Sequence, residues 1–168
     1  GEKHVSFPEL SSDAKERTML VNGVSKTYSM TGWRIGYAAG NSQVISAMNN
    51  LSGQSTSNPT SISQKAAIEA FSGTQQKVTE MLKEFEERKD FISSFLNQIE
   101  GIKCFTPEGA FYVFPDISYY FGRTYRNKKI SNSIEFTDFL LDVAKVAVVP
   151  GIEFGSDSHI RISYATSM

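Results

Sequence analysis

Residues 25–37 have the sequence SKTYSMTGWRIGY, and this stretch decides how the chain is interpreted. Lys26 stands eight residues before Arg34, with small, hydroxylic and aromatic side chains between them. The preceding residues 19–24, MLVNGV, form a strand-like run, so we expect Lys26 at the end of a strand. Open α/β sheets bind their ligands at that position. The stretch therefore predicts a ligand site built around a lysine and an arginine.

Residues 25–37 closely resemble the lysine segment of the class I and II aminotransferases, which use pyridoxal 5′-phosphate and have the fold-type I architecture. Two further segments carry the same resemblance, in the family's order and at compatible spacing. GAFYVF (109–114) resembles the small-domain strand, and VVPGIEFG (148–155) with IRISYA (160–165) resembles the C-terminal signature. The resemblance covers essentially the whole chain, and the motifs look most like the bacterial aspartate aminotransferase branch.

A lysine amine condenses with an aldehyde when part of it is unprotonated, and burial or nearby positive charge favours that state. The resemblance implies that Lys26 forms the Schiff base with pyridoxal 5′-phosphate. It also implies that Ser25 and Arg34 bind the phosphate of the cofactor, for which a hydroxyl and a guanidinium fork are suitable donors. The alternative is that Lys26 and Arg34 are surface charges flanking a turn.

Arg161 is the second candidate binding residue. It lies between Ile160 and Ile162, so on a strand its side chain points to the face opposite theirs. A planar guanidinium matches a carboxylate with two parallel hydrogen bonds. The resemblance implies that Arg161 binds the α-carboxylate of the amino-acid or 2-oxo-acid substrate. The alternative is an arginine exposed on a sheet edge.

The composition and net charge of the chain limit the kinds of partner that we expect it to bind. The net charge of −1 gives no reason to expect nucleic acid or an anionic membrane, and no apolar run approaches the length of a membrane span. Cys104 is the one cysteine, so we expect a buried, inert thiol and a reducing cytoplasm. His4 and His159 lie far apart without other ligands at suitable spacing, so we expect no metal site.

The predicted fold class is α/β, the C-terminal part of a fold-type I aminotransferase. The resemblance assigns residues 1–73 to the end of the large cofactor-binding domain and its sheet. It assigns residues 74–101 to a connecting helix and residues 102–168 to a small α+β domain without its final helix. The chain opens on Gly1 rather than on methionine, which together with the family match indicates a piece of a longer protein.

Apolar periodicity and turn residues predict the elements. Helices are expected from Asn41, from Ser61 with Gln64 in a capping box, over 78–99, and from Asn132 with Glu135. The polar residues before 19, the segment 53–59 and the basic segment 122–129 are expected to be loops. Strands are expected over 19–24, 35–39, 102–105, 110–114, 146–149 and 160–164.

The resemblance implies transfer of an amino group between an L-amino acid, aspartate above all, and a 2-oxo acid, with 2-oxoglutarate as the acceptor. It implies a homodimer in the full-length protein. In the family, an aspartate at the cofactor's ring nitrogen, an asparagine near the ring oxygen and an aromatic residue stacked on the ring lie upstream of the lysine. Asp13 is the one aspartate before Lys26 and its surroundings do not fit, so we expect this chain to be inactive by itself.

Two other functions fit the same motifs. A pyridoxal-phosphate lyase or synthase of the same fold would keep Lys26, Arg34 and Arg161. An aminotransferase-like ligand-sensing domain of a transcription regulator would bind cofactor or ligand without catalysis, and would require a DNA-binding segment upstream.

Overall fold

A computed structural model of the protein describes residues 4–125 and 127–167. The chain divides into two compact units, Gly1–Thr79 and Glu80–Met168. The boundary lies within a long helix, in the region that the sequence predicts as the connecting helix. The assignment of residues 1–73 and 102–168 to a large and a small domain remains a prediction.

In its described part, the first unit contains helices and one antiparallel strand pair. Its elements are α1 (Ser12–Arg17), β1 (Leu20–Gly23), β2 (Gly36–Ala39), α2 (Ser42–Ser55) and α3 (Ser61–Ser72). Strand β1 pairs with β2 over its full length, from Leu20 opposite Ala39 to Gly23 opposite Gly36. Both predicted strands of this unit are therefore confirmed, and the predicted ligand loop connects them.

The N-terminal segment differs from its prediction as a loop. Helix α1 forms there because Ser11 caps it, with the Ala14 amide donating to the Ser11 hydroxyl oxygen at 3.0 Å. An ion pair of 2.8 Å between Arg17 and Asp13, one helical turn apart, further stabilises the helix. Serine and aspartate favour turns and helix caps alike, which is why the sequence pattern was ambiguous here.

Two helix boundaries in this unit also differ from prediction. Helix α2 begins after its predicted cap Asn41 but continues to Ser55, so the expected loop is shorter than 53–59. Helix α3 begins at Ser61, with Thr60 rather than Ser61 in the N-cap position. The predicted capping box is absent, because the Gln64 side-chain amide donates to the Pro59 carbonyl oxygen at 2.8 Å instead.

Helix α4 (Gln76–Asn97) contains the boundary between the units, and the second unit is built around a small antiparallel sheet. Its other elements are β3 (Tyr112–Val113), β4 (Thr124–Tyr125), β5 (Lys128–Lys129), α5 (Ser133–Phe139), β6 (Val149–Pro150) and β7 (Ile160–Ser163). Strand β7 lies in the middle of the sheet, paired antiparallel with β3 on one side and with β6 on the other.

Several predicted strands of the second unit are shorter or absent. Residues 102–105 form only a single bridge, between Lys103 and Asp116. The expected strand 146–149 is reduced to β6, because α5 continues as a π-helical turn, Leu140–Ala144, that ends at a left-handed Lys145. The basic segment 122–129, predicted as a loop, contains the hairpin of β4 and β5, whereas Arg126 within it lies outside the described residues.

Two clusters of buried side chains hold the second unit together. One contains Leu96, Cys104, Val113 and Tyr164, and the other contains Ile117, Ile130, Phe136 and Ile160. Ile162 packs against both clusters, so β7 supplies apolar contacts to each. Cys104 is buried as predicted, and burial raises the pKa of its thiol, which keeps it protonated and unreactive.

The segment 151–159, here called the Phe154 loop, closes on itself at Gly151. The Gly151 amide donates to the His159 carbonyl oxygen at 2.8 Å, and the Ser156 amide donates to the Gly151 carbonyl oxygen at 3.0 Å. A Cβ on Gly151 would overlap the carbonyl oxygens of Ser156 and His159. Backbone atoms cannot move aside as a flexible side chain can, so the loop requires glycine here.

We therefore expect Gly151→Ala to lower the free energy of unfolding by about 1–3 kcal/mol, the usual cost of forcing extra volume into a packed site. Urea denaturation of the chain followed by circular dichroism measures this change. Gly109→Ala is the matched control, because a Cβ there meets no atom within 4 Å. Equal stability of the two variants would contradict the close approach at Gly151.

Candidate active site

The loop between β1 and β2, residues 24–35, is here called the lysine loop, and it returns to the point where it starts. Gly23 and Gly36 stand opposite each other at its two ends. A Cβ on Gly36 would lie 3.1 Å from the Asn22 carbonyl oxygen, so the two backbones approach more closely than most side chains allow. Because the ends meet, Lys26 and Arg34, each within a few residues of these glycines, belong to the same end of the strand pair.

The base of the lysine loop is apolar and buried. Val24 and Met30, 1% and 9% exposed, pack with Ala67 of α3. The Ser63 hydroxyl of the same helix donates to the Trp33 carbonyl oxygen at 2.9 Å. Helix α3 therefore anchors both halves of the loop by burial and by a hydrogen bond.

Lys26 lies in a tight turn between the two anchored residues of the loop. The Tyr28 amide donates to the Val24 carbonyl oxygen, and the Ser29 amide donates to the Lys26 carbonyl oxygen, both at 3.2 Å. Ser25 is half-buried and Lys26 is exposed. The turn thus directs the lysine away from the apolar base, and the described residues do not bury its side chain.

Arg34 follows the short 3₁₀ turn Thr31–Trp33 in a left-handed conformation, with φ 50° and ψ 48°. Its Nη1 donates to the Thr31 carbonyl oxygen at 3.0 Å, which fixes one arm of the guanidinium. The side chain is exposed, and its remaining N–H groups can contact phosphate oxygens. One loop thus combines an amine, a hydroxyl and a guanidinium fork, a donor set that fits an aldehyde carrying a phosphate.

Arg161 lies on β7, the middle strand of its sheet, and not on an edge. Its neighbours Ile160 and Ile162 pack into the apolar clusters, which confirms the predicted alternation of faces. On the other face, the guanidinium carbon lies 4.4 Å from the ring centre of Tyr112 and 4.4 Å from that of Phe154. The structure thus places Arg161 between two aromatic rings.

No carboxylate forms an ion pair with Arg161 anywhere in residues 4–125 and 127–167. Arg161 is half-buried, and its guanidinium carbon lies over the rings of Tyr112 and Phe154. A partly desolvated cation with free edge donors is suited to a carboxylate from outside the chain.

The Phe154 loop is tethered to the start of α5. Asp157 Oδ1 accepts hydrogen bonds from the Ser133 amide at 3.0 Å and from the Ser133 hydroxyl at 2.7 Å. The same hydroxyl oxygen accepts a hydrogen bond from the Ile152 amide at 3.3 Å. The hydrogen bonds from Ser133 lower the pKa of the Asp157 carboxyl. Because Ser133 is fully buried, the tether is a fixed point for the loop.

The contacts that surround Arg161 are not evident from the sequence. Phe154 and Tyr112 are there only members of segments that resemble family motifs. The signal that links them to Arg161 is strand register, since Tyr112 pairs opposite Ser163 and so falls on the Arg161 face. Ser133 and Asp157, twenty-four residues apart, carry no local signal that joins them.

Residues 4–125 and 127–167 contain no cluster of three or more histidine, cysteine or acidic side chains arranged to hold a metal ion. No helix within the same residues has the length and apolar character needed to cross a membrane.

Comparison with known proteins places these features in a family. The sequence profile of the family described as Aminotransferase class I and II matches residues 2–168. The chain belongs to this family. The roles of Ser25, Lys26, Arg34 and Arg161 remain predictions.

Curated relatives and solved structures agree with the family. The chain is 51% identical over 167 residues to a probable aspartate/prephenate aminotransferase of Rickettsia prowazekii, covering 99% of this chain and 42% of that protein. It is 49% identical to the aspartate aminotransferase of Bacillus subtilis, over 100% of this chain and 42% of the relative. The chain therefore spans less than half the length of the curated relatives it matches.

The aspartate aminotransferase structure from Rhizobium meliloti superposes with a TM-score of 0.93 at 45% identity, covering 99% of this chain and 42% of that one. The aromatic aminotransferase of Pyrococcus horikoshii gives a TM-score of 0.85 at 37% identity, with 99% and 43% coverage. The predicted fold class is thereby confirmed: this aminotransferase chain has the fold of the C-terminal portion of a fold-type I enzyme.

The lowered pKa of Asp157 predicts how the stability of the folded chain depends on pH. A carboxyl whose folded-state pKa lies below its unfolded value stabilises the fold above the unfolded pKa, and this stabilisation is lost as pH falls through the folded pKa. We expect Asp157→Asn to be less stable than the native chain at about pH 7 and equal to it in strong acid. Urea denaturation at several pH values tests this. Asp138→Asn, at an exposed position of α5, is the control and should not reproduce the difference.

Proposed function

We propose that the protein containing this chain is an aminotransferase that moves an amino group from aspartate to 2-oxoglutarate with pyridoxal 5′-phosphate as its cofactor. The observation that carries the proposal is the lysine loop, which presents Ser25, Lys26 and Arg34 from a buried base. Relatives named as aspartate aminotransferases support the reaction and the amino donor. Those names also favour amino transfer over a lyase, a synthase or a ligand sensor.

In this proposal Lys26 carries the cofactor through its amine, and Ser25 and Arg34 bind the phosphate. When bound, pyridoxal 5′-phosphate supplies an electron sink for negative charge that develops at the substrate α-carbon. The Lys26 amine would also accept the proton that leaves the substrate α-carbon and donate it back during the same transfer. Lys26 is an exposed residue of its turn.

Arg161 supplies the substrate contact in the same proposal. The α-carboxylate is common to the amino acid and the 2-oxo acid, so one arginine serves both half-reactions. The absence of an ion-pair partner within the described residues supports this role, because a half-buried guanidinium with open edge donors retains its capacity for a bidentate contact.

The proposal extends to the assembly and the compartment. In the family the active site forms between two subunits, so we propose a homodimer for the full-length protein. A buried thiol with no cysteine to pair with suits a reducing cytoplasm.

Lys26 is expected to be the residue that carries the cofactor. Borohydride reduction of the full-length holoenzyme, followed by peptide mapping, should place the pyridoxyl group on Lys26. Lys26→Ala should lower kcat by more than about 10²-fold, the smaller end of what proton transfer by a positioned group contributes. Lys15→Ala, at an exposed position of α1, is the control. Label on another lysine, or an active Lys26→Ala enzyme, would show that the assignment is wrong.

Arg161→Ala in the full-length enzyme is expected to raise KM for aspartate and for 2-oxoglutarate by roughly thirtyfold or more. Truncating one partner of a charged hydrogen-bonded pair costs about 2–5 kcal/mol. Cofactor absorbance should change little, because Arg34 and not Arg161 binds the phosphate. Arg123→Ala removes another arginine of the same unit, stacked on Tyr119, and should leave KM unchanged. An unaltered KM in Arg161→Ala would refute the role.

The 168-residue chain by itself is expected not to transaminate, because it lacks the acidic partner of the ring nitrogen and the stacking aromatic of the family. Its cofactor binding should be weak, and apolar side chains of α2 that are exposed, among them Met48 and Leu51, favour self-association. Incubation with pyridoxal phosphate, aspartate and 2-oxoglutarate, followed by glutamate detection, tests this, with the full-length enzyme as the control. A kcat on the order of 1–10³ s⁻¹ would contradict it.

A further inference from the structure

We propose that Tyr112 and Phe154 form an aromatic clamp that fixes the plane of the Arg161 guanidinium and thereby positions it for the substrate carboxylate. The proposal rests on the carboxylate-binding role of Arg161 proposed above. It adds two positioning residues, neither of which needs to touch the reacting atoms.

One ring comes from a strand that flanks β7, and the other comes from a turn next to the strand on its other side. Tyr112 belongs to β3 and Phe154 to the 3₁₀ turn Gly151–Phe154 directly after β6, and these strands flank β7 on its two sides. Each ring centre lies 4.4 Å from the guanidinium carbon, well inside the range of about 6 Å in which a cation and a ring attract each other.

The proposed clamp, in which the two rings pack on the faces of the guanidinium, has a specific consequence for hydrogen bonding. All N–H groups of a guanidinium lie in its plane, so rings packed on the faces leave the edges accessible. A carboxylate approaching in that plane forms two parallel hydrogen bonds, whereas one approaching a face forms none. The clamp therefore selects the orientation in which Arg161 binds a carboxylate with both oxygens.

Both rings are themselves held in place. The backbone of Tyr112 is fixed by pairing with Ser163 on β7. Phe154 sits on the loop that closes at Gly151 and is tethered through Asp157 to Ser133. Because both rings are attached to fixed backbone, Arg161 loses little further side-chain freedom when it binds, and such preorganisation strengthens binding.

The clamp acts on binding and not on the chemical step. The carboxylate contact is made equally in the substrate complex and in the transition state, so loss of the clamp should raise KM and leave kcat nearly unchanged. Both substrates carry the same α-carboxylate, so both KM values should rise together.

The test uses the full-length holoenzyme with Phe154→Leu and, separately, Tyr112→Leu. Each should raise KM for aspartate and for 2-oxoglutarate by about tenfold, the effect of removing one partly desolvated cation–π contact, with kcat within about twofold. Succinate, a dicarboxylate with no amino group to transfer, should lose affinity by the same factor in calorimetry. Phe154→Tyr keeps a ring over Arg161 and should restore the native values.

Two controls make the result specific. Tyr119→Leu removes a ring 4.3 Å from the Arg123 guanidinium, a similar contact elsewhere in the unit, and should leave KM unchanged. Phe154→Leu added to Arg161→Ala should cause no further loss of succinate affinity, whereas general loosening of the fold would. Because Phe154 is 48% exposed, its replacement by leucine should not prevent folding, and Tyr112→Leu provides an independent variant.

The outcomes separate the two proposals. If Arg161→Ala weakens succinate binding but Phe154→Leu and Tyr112→Leu do not, the clamp is wrong and the role of Arg161 stands. If Phe154→Leu still lowers succinate affinity when Arg161 has already been replaced by alanine, the clamp proposal is also wrong. If Arg161→Ala changes neither the affinity for succinate nor KM, the carboxylate-binding role of Arg161 in the proposed function is wrong, and the clamp proposal that rests on it is wrong as well.

Discussion

Burial of apolar neighbours sets the direction of Lys26 in the first unit and of Arg161 in the second. Val24 and Met30 are anchored against α3, and the turn between them presents Lys26 outward. Ile160 and Ile162 face the apolar clusters of the second unit, so the residue between them must face the other way. In both places the hydrophobic effect sets the direction of a charged group that contributes nothing to the core. Each fully buried aliphatic side chain supplies about 1.5–3 kcal/mol of stability for this purpose.

Close backbone approach is the second constraint, and it accounts for the glycines at the ends of both loops. At Gly23 and Gly36 the two ends of the lysine loop meet, and at Gly151 the Phe154 loop folds onto its own carbonyl groups. None of these three glycines has a left-handed backbone, so their requirement is space and not conformational freedom. The close backbone approaches at their ends therefore fix the path of both loops, and the residues within the loops need little regular secondary structure.

Much of the site could be predicted from sequence, because its signals are local. The strand–loop–strand unit around Lys26 and the alternation around Arg161 depend on neighbouring residues, and both are confirmed. The N-terminal helix was missed because Ser11 was interpreted as a turn residue. The strand at 102–105 was predicted but not formed, because an apolar run does not reveal whether a neighbouring strand is present to pair with it. The contacts of Tyr112 and Phe154 with Arg161 depend on strand register, which no single segment of the sequence encodes.

The closed form of the Phe154 loop has a consequence for how such enzymes diversify. Hydrogen bonds between Gly151, Ser156 and His159 complete the loop through its own backbone, while Glu153 and Gly155 at its tip are exposed. Sequence drift at Glu153 therefore leaves these main-chain bonds intact, whereas the left-handed backbone of Gly155, with φ 80°, favours glycine there. Selection can thus vary the exposed side chain beside Phe154 while the closed form of the loop is kept.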